Sequence, residues 1–277
     1  MRFGKVLLPL AIAAAAGLAI PATPAFAALP AYAHIVVVID ENHAYNEVIG
    51  NPNAPYITSL ANGGAKMTQS FAVTHPSEPN YLALFSGSTH GITDDSCPHT
   101  FTGENLGHQL INAGTTFTGY SESMPSDGYT GCTSGNYARK HNPWVNFSNV
   151  PAASNLRFSD FPTTFSNLPK VSIVVPNLCN DMHNCSVATG DTWLKNHLGA
   201  YATWAKANNS LLIVTFDEDD SSASNHIPTL FYGAHVKTGN YSEHITHYTV
   251  LRTLESLTGL GCTGSSCSVN PIADIWN

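Results

Sequence analysis

Short apolar runs that end in polar residues recur along this chain. His34-Ile35-Val36-Val37-Val38-Ile39 runs into Asp40-Glu41-Asn42, and Lys170-Val171-Ser172-Ile173-Val174-Val175 into Pro176-Asn177. Leu211-Leu212-Ile213-Val214-Thr215-Phe216 runs into Asp217-Glu218-Asp219-Asp220. Ile227 to Tyr232 reads the same way, and Thr116 to Tyr120 more weakly. Continuous apolar character predicts strands buried on both faces, as in a parallel sheet between helices. Helical spacing recurs over Asn105–Ala113, Trp193–Asn208 and Tyr248–Thr258. The alternation of the two patterns predicts an α/β sandwich. Ligands of such folds bind beyond the carboxyl ends of the strands, and two of these ends carry acidic clusters.

From about Thr93 to Pro162 the chain is rich in Gly, Ser, Thr, Asn and Pro with weak periodicity, which predicts a loop-rich insertion at about 93–162. At the start, Arg2 and Lys5 precede an apolar stretch from Val6 to Ile20, and Ala25-Phe26-Ala27 has the small-x-small cleavage pattern. Residues 1–27 therefore read as a secretory signal peptide cleaved after Ala27, leaving residues 28–277 as a single exported domain. No later apolar run approaches the ~20 residues needed to span a bilayer, so no stable membrane anchor is expected.

Charge narrows the partners. Against 19 acidic residues stand 11 Lys and Arg, a formal charge of −8, and the leader removes two of the cations. Such a surface repels nucleic acid and anionic membranes at long range. An anionic substrate needs local positive charge from a metal or a helix end. All six cysteines follow the leader, an even number that favours disulfides in an exported chain. Proximity suggests Cys179–Cys185 and Cys262–Cys267, with Cys97–Cys132 as the longer closure. No pattern speaks to oligomeric state.

Candidate chemistry centres on His75-Pro76-Ser77-Glu78-Pro79-Asn80-Tyr81, just ahead of an apolar helical run. Proline suits an early helical position, which puts Ser77 at or near an N-cap. There, unpaired N–H groups and the positive dipole end favour a phosphate or a serine oxyanion. The same residues would make an ordinary N-cap, so the remaining signals decide. Glu41-Asn42 and Asp217-Glu218 sit where buried strands meet loops, and few cations exist to pair them. Their oxygens are hard ligands, suited to Ca²⁺, Mg²⁺ or Mn²⁺ more than Zn²⁺. Two such ends meeting beside a helix-capping serine favour a site over a solvated loop.

Among 13 histidines, His75, His141 and His183 are the catalytic candidates, able to bond phosphoryl oxygens and protonate a leaving alkoxide. His247 opens the final helix, where it can serve as a cap or support a metal ligand from behind. His90, His99, His108 and His197 read as surface residues, while His43 and His226 stay open. Gly119-Tyr120-Ser121-Glu122-Ser123 fails the G-x-S-x-G elbow at its last position. No P-loop, G-x-G-x-x-G or H-E-x-x-H pattern is present.

Taken together, the Glu41-Asn42 strand end, Thr74 to Phe85, Ala138-Arg139-Lys140-His141 with Pro143-Trp144, Asn180-Asp181-Met182-His183, Asp217 to Asp220 and His247-Tyr248 are highly specific. On them the chain resembles the bacterial phosphoesterase family of acid phosphatases and phospholipases C, a branch of the alkaline phosphatase superfamily, from about Ala31 to Trp276. The resemblance implies a three-layer sandwich with a mostly parallel central sheet. It implies a phosphorylated Ser77 and one divalent metal ion on Glu41, Asn42, Ser77, Asp217 and Glu218. It also implies His75, His141 and His183 as phosphate donors or leaving-group acid, with Asn80 on a phosphoryl oxygen and His247 on the substrate side. Cys179, Cys185, Cys262 and Cys267 depart from the family pattern, and a bridge around His183 could reshape that wall of the pocket.

The expected activity is hydrolysis of phosphomonoesters, on phosphoinositides or other small phosphate esters. The substrate is thus a phosphorylated small molecule or lipid headgroup. Rival readings are a phospholipase C-type phosphodiesterase and a non-catalytic secreted binding protein stabilised by metal. The first would carry an apolar lid or membrane-seeking patch, and none is convincing in the sequence.

Overall fold

The computed structural model describes residues 29–277, together with residues 1, 2 and 4. The signal-peptide reading and its cleavage point after Ala27 lie outside the described residues. Among the described residues, no helix is long and apolar enough to cross a membrane.

Seven elements come first: β1 (His34–Asp40), α1 (Tyr45–Val48), α2 (Pro55–Gly63), β2 (Ala65–Met67), β3 (Ser70–Phe71), α3 (Ser77–Ser86) and α4 (Leu106–Asn112). Then come β4 (Phe117–Ser121), β5 (Thr133–Ser134), β6 (Tyr137–Ala138), β7 (Asn155–Arg157), β8 (Val171–Val175) and α5 (Val187–Ala207). The chain closes with β9 (Ser210–Phe216), β10 (Thr229–Gly233), β11 (Gly239–Tyr241), β12 (Ile245–Thr246) and α6 (His247–Leu257). Eight strands form one sheet in the order β11-β2-β10-β9-β1-β8-β4-β7. From β9 to β7 every pairing is parallel.

The three layers follow from strand alternation. Ile35, Val37 and Ile39 of β1 pack with Ile173 and Ile213 against Tyr81, Leu84, Leu251 and Leu254 of α3 and α6. Val36 and Val38 face the other way, with Leu212 and Val214, against Ile57, Leu60, Leu194 and Leu198 of α2 and α5. Each such side chain contributes about 1.5–3 kcal/mol by leaving water. The expected sandwich, mostly parallel with helices on both faces, is the observed one.

Two expectations change. The run from Ile227 becomes β10, which starts at Thr229 and lies antiparallel to β9 and β2. Residues 93–162 are not a mere insertion, because β4 and β7 join the main sheet and α4 covers it. The β4 pattern is weak for a reason. A Cβ on Gly119 would come within 2.1–2.4 Å of three ring atoms of the buried Trp144, so this strand gives up a side chain to admit the indole.

All three disulfides pair as proximity suggested: Cys97–Cys132, Cys179–Cys185 and Cys262–Cys267. The helix α3 is buried along its whole length and ends at Gly87, whose φ of 70° lies in the left-handed region. Gly87 packs backbone to backbone on Gly264, inside the Cys262–Cys267 turn, and its carbonyl accepts from Ser265 N–H at 2.7 Å.

Candidate active site

Register puts the two acidic strand ends side by side. Asp40 pairs with Phe216, so Glu41 and Asp217 leave β1 and β9 at one level, tied by Asp217 N–H to the Asp40 carbonyl at 3.0 Å. Pro76 caps α3 and Ser77 is its first residue, one position inside the expected N-cap. Ser77 Oγ donates to Glu41 Oε2 at 3.2 Å and to Glu218 Oε1 at 3.3 Å. All three are buried, as is Asp217. A hydroxyl at a helix start and carboxylates from two strand ends therefore share one small volume.

Histidines surround this volume. His75 lies on the solvent side, with Nδ1 2.7 Å from Glu218 Oε2 and Nε2 3.2 Å from Asp219 Oδ1. His141 is buried, with Nε2 3.1 Å from Glu41 Oε1 and Nδ1 3.4 Å from Asp181 Oδ2. His183 sits in the Cys179–Cys185 loop, its ring 5.8 Å from that of His141. Glu41, His141 and His183 each place one donor atom within 4.8 Å of the others. The loop is anchored to β1 because Glu41 N–H donates to the Asp181 carbonyl at 2.8 Å.

Burial and mutual repulsion displace the acid–base groups of the cluster from their ordinary ranges. Burial raises Asp217 to about 6, Asp181 to about 7 and Glu218 to about 8. Glu41 is raised well above its ordinary range, by burial and then by Asp217 and Asp181. His141 is driven well down, by burial first and then by Lys140, and burial takes His247 down to about 4. Buried Asp217 Oδ2 has no hydrogen-bond partner among the described residues, and Glu218 Oε2 meets only His75. Crowded, buried carboxylates with the imidazoles of His141 and His183 within reach of Glu41 fit a bound metal ion.

Three candidates are used differently from expectation. Asn42 meets the cluster through its backbone, N–H to Asp217 Oδ1 at 3.0 Å, in a left-handed conformation at φ 55°. The Asn80 amide is spent on its own loop: Oδ1 accepts from Val73 and Thr74 N–H, and Nδ2 donates to the Thr74 and Pro76 carbonyls. It holds the loop leading into Ser77. His247 Nε2 donates to the Asp217 carbonyl at 2.6 Å and so supports a strand end from behind.

Sequence reading missed several members. Tyr81 donates its hydroxyl to Glu41 Oε1. Asp181 backs His141, and Asp219 meets His75. Lys140 pairs with Asp95 at 2.7 Å, and Asp95 accepts the Glu78 N–H at 2.9 Å on the first turn of α3. Asp181, Asp219 and Lys140 were legible only as neighbours of candidate residues. His99 is not a bare surface residue, since its Nε2 lies 3.7 Å from the buried Glu78 Oε2.

The fold is similar to that of solved proteins of the alkaline phosphatase superfamily. A superfamily member from Vibrio parahaemolyticus superposes with a TM-score of 0.59 at 14% identity, over 90% of this chain and 72% of that one. The lipoteichoic acid synthase LtaP of Listeria monocytogenes gives 0.59 at 11%, over 85% and 74%. Within that fold the chain belongs to the phosphoesterase family, whose profile matches residues 51–261. It is 56% identical to a phosphatidylinositol-3-phosphatase of Mycobacterium tuberculosis, over 91% of this chain and 85% of that protein. It is 30% identical to an acid phosphatase of Aspergillus fumigatus, over 86% of this chain and 57% of that longer protein.

Proposed function

We propose that residues 28–277 form one exported phosphomonoester hydrolase domain that works through a phosphorylated Ser77 on phosphoinositides or other small phosphate esters. The observation that carries this reading is the buried Ser77 hydroxyl at the start of α3, 3.2 and 3.3 Å from carboxylates of two chain segments. The names of the mycobacterial and fungal relatives support the substrate class.

Glu41, Asp217, Glu218 and the Ser77 oxygen, with Asn42 beside them, are the residues to hold a divalent cation of the Ca²⁺, Mg²⁺ or Mn²⁺ kind. When bound, it supplies positive charge that favours the serine oxyanion and neutralises phosphoryl oxygens. Ser77 Oγ attacks phosphorus, and its proton leaves to a carboxylate it already donates to. The Oγ–P bond forms as the bond from phosphorus to the ester oxygen breaks. A histidine of the set His75, His141 and His183 gives that oxygen its proton, and the alcohol departs. Water then attacks the phosphoserine, the same histidine takes the water proton, the Oγ–P bond breaks, and the carboxylate returns its proton to Oγ, leaving the serine hydroxyl and inorganic phosphate.

Wild type and Ser77→Ala are compared on nitrophenyl phosphate, with acid-quenched samples digested for mass spectrometry. The expected result is turnover and a phosphorylated Ser77 peptide in wild type, and neither in the variant. Full activity of Ser77→Ala would remove the nucleophile from this account.

A further inference from the structure

Beside the Ser77 cluster lies an open cavity of about 410 Å³, bordered by Val73, His75, Asp219, Ser221, Ser224 and Asn225. Its size falls in the ~300–1,000 Å³ range of small-molecule sites. Among the cavities described, it is the one that shares a wall with the cluster. His75 is that wall: it touches Glu218 Oε2, and the other Glu218 oxygen accepts the Ser77 hydroxyl. An ester whose phosphorus meets Ser77 has an alcohol to place, and this space adjoins it.

The lining specifies what kind of alcohol. Ser221 and Ser224 are exposed, and their hydroxyls bond to no other described residue. The backbone of the loop that carries them is cross-tied. Asp219 accepts the N–H groups of Ser221, Ala223 and Asn225 at 2.8, 2.7 and 3.0 Å, and Asn225 Nδ2 is pinned to the Thr74 carbonyl at 2.8 Å. Unpaired hydroxyls on a tied backbone, beside an imidazole, suit a partner rich in hydroxyls, since little backbone ordering remains to be done on binding. The charges select further. Asp219 borders the cavity and Asp220 follows it in the chain, while no lysine or arginine lines it. A second phosphate on the ring would meet carboxylates with nothing to pair it.

Resting on the Ser77 reading above, we infer that this cavity is the leaving-group subsite, and that it takes the ring of a singly phosphorylated polyol, a sugar or cyclitol, while discriminating against a second phosphate. Selectivity then resides in residues 221–225.

The experiment compares kcat/KM on nitrophenyl phosphate, inositol monophosphate, inositol bisphosphate and a short-chain phosphatidylinositol monophosphate. The proteins are wild type, the double variant Ser221→Ala/Ser224→Ala, and Ser224→Lys. Wild type is expected to prefer the monophosphate to the bisphosphate. The double variant should lose about tenfold more on inositol monophosphate than on nitrophenyl phosphate, the scale of one or two neutral hydrogen bonds. Ser224→Lys should raise the bisphosphate-to-monophosphate ratio about tenfold. A matching loss on the soluble and lipid forms places the shared ring in the cavity, and a loss confined to the lipid form overturns a polyol site. Equal losses on all esters, or a bisphosphate cleaved as well as the monophosphate by wild type, also overturn it. Nitrophenyl phosphate turnover without polyol selectivity sinks this inference alone, whereas no turnover of any ester by wild type sinks the Ser77 reading beneath it.

Discussion

Removing divalent cations should make the protein less stable as pH rises above neutrality, and adding calcium should reverse that trend. The folded pKa values of Asp181 and Glu218 are raised from 3.8 and 4.5 to about 7 and about 8. A raised carboxylate contributes stability that is fully present below the unfolded pKa and is lost as pH rises through the folded one. Buried His247 acts in the opposite sense, its pKa lowered from 6.5 to about 4, so its effect on stability is complete by about pH 6.5. The clean window is therefore pH 6.5 to 8. There each still-protonated carboxylate loses about 1.4 kcal/mol per pH unit. Asp181 and Glu218 together lose roughly 2 kcal/mol, with the Glu218 share discounted for residual solvent contact. For a domain of this size that is roughly 4–8 °C in Tm. Scanning fluorimetry in chelator and in millimolar calcium, at pH 6.5, 7.2 and 8, reads it out. The calcium-minus-chelator difference should widen with pH and vanish in Asp217→Asn. A difference that is constant or shrinks with pH would refute the reasoning, because it would mean the carboxylates do not face a common cation.

Two further perturbations test the scaffold. Gly119→Ala drives a methyl into the Trp144 ring and should cost at least about 2–3 kcal/mol in a urea melt; a cost below about 1 would mean that the indole moves freely. Replacing Cys179 and Cys185 by serine opens a loop of sequence separation 6 that carries Asp181 and His183. The loss should be about 2–3 kcal/mol of stability by loop-closure entropy, with kcat/KM down by roughly tenfold through loosened positioning. Unchanged kinetics would show that the bridge does not order His183.

The strands β1, β8 and β9 were legible because burial on both faces leaves an unbroken β-branched run that solvent-facing segments do not imitate. The same logic hid β4 and β7. At β4, Gly119 surrenders its side chain to Trp144, and β7, three residues at the sheet edge, is too short for a pattern. The acidic strand ends were legible as chemistry out of place, since carboxylates directly after an apolar run need a partner. Their common level was not, because it depends on the register of β1 against β9. Tyr81 shows the limit most plainly. It reads as one more apolar residue of a buried helix, and only the fold shows its hydroxyl on Glu41, forty positions away. Asn80 misleads in the other direction: beside the serine it looks like a ligand-binding amide, yet all its bonding capacity goes into the loop at residues 73–76.

The glycine-on-glycine contact between residues 87 and 264 makes the serine helix a beam fixed at both ends. The Asn80 loop clamps the tip that carries Ser77, and the Cys262–Cys267 turn bolts down the far one. A methyl at either glycine, or an added residue in that turn, would push along the helix axis, some ten residues of stiff rod, toward the hydroxyl. On the proposed role of Ser77, changes confined to that final stretch should register as altered catalysis before they register as unfolding.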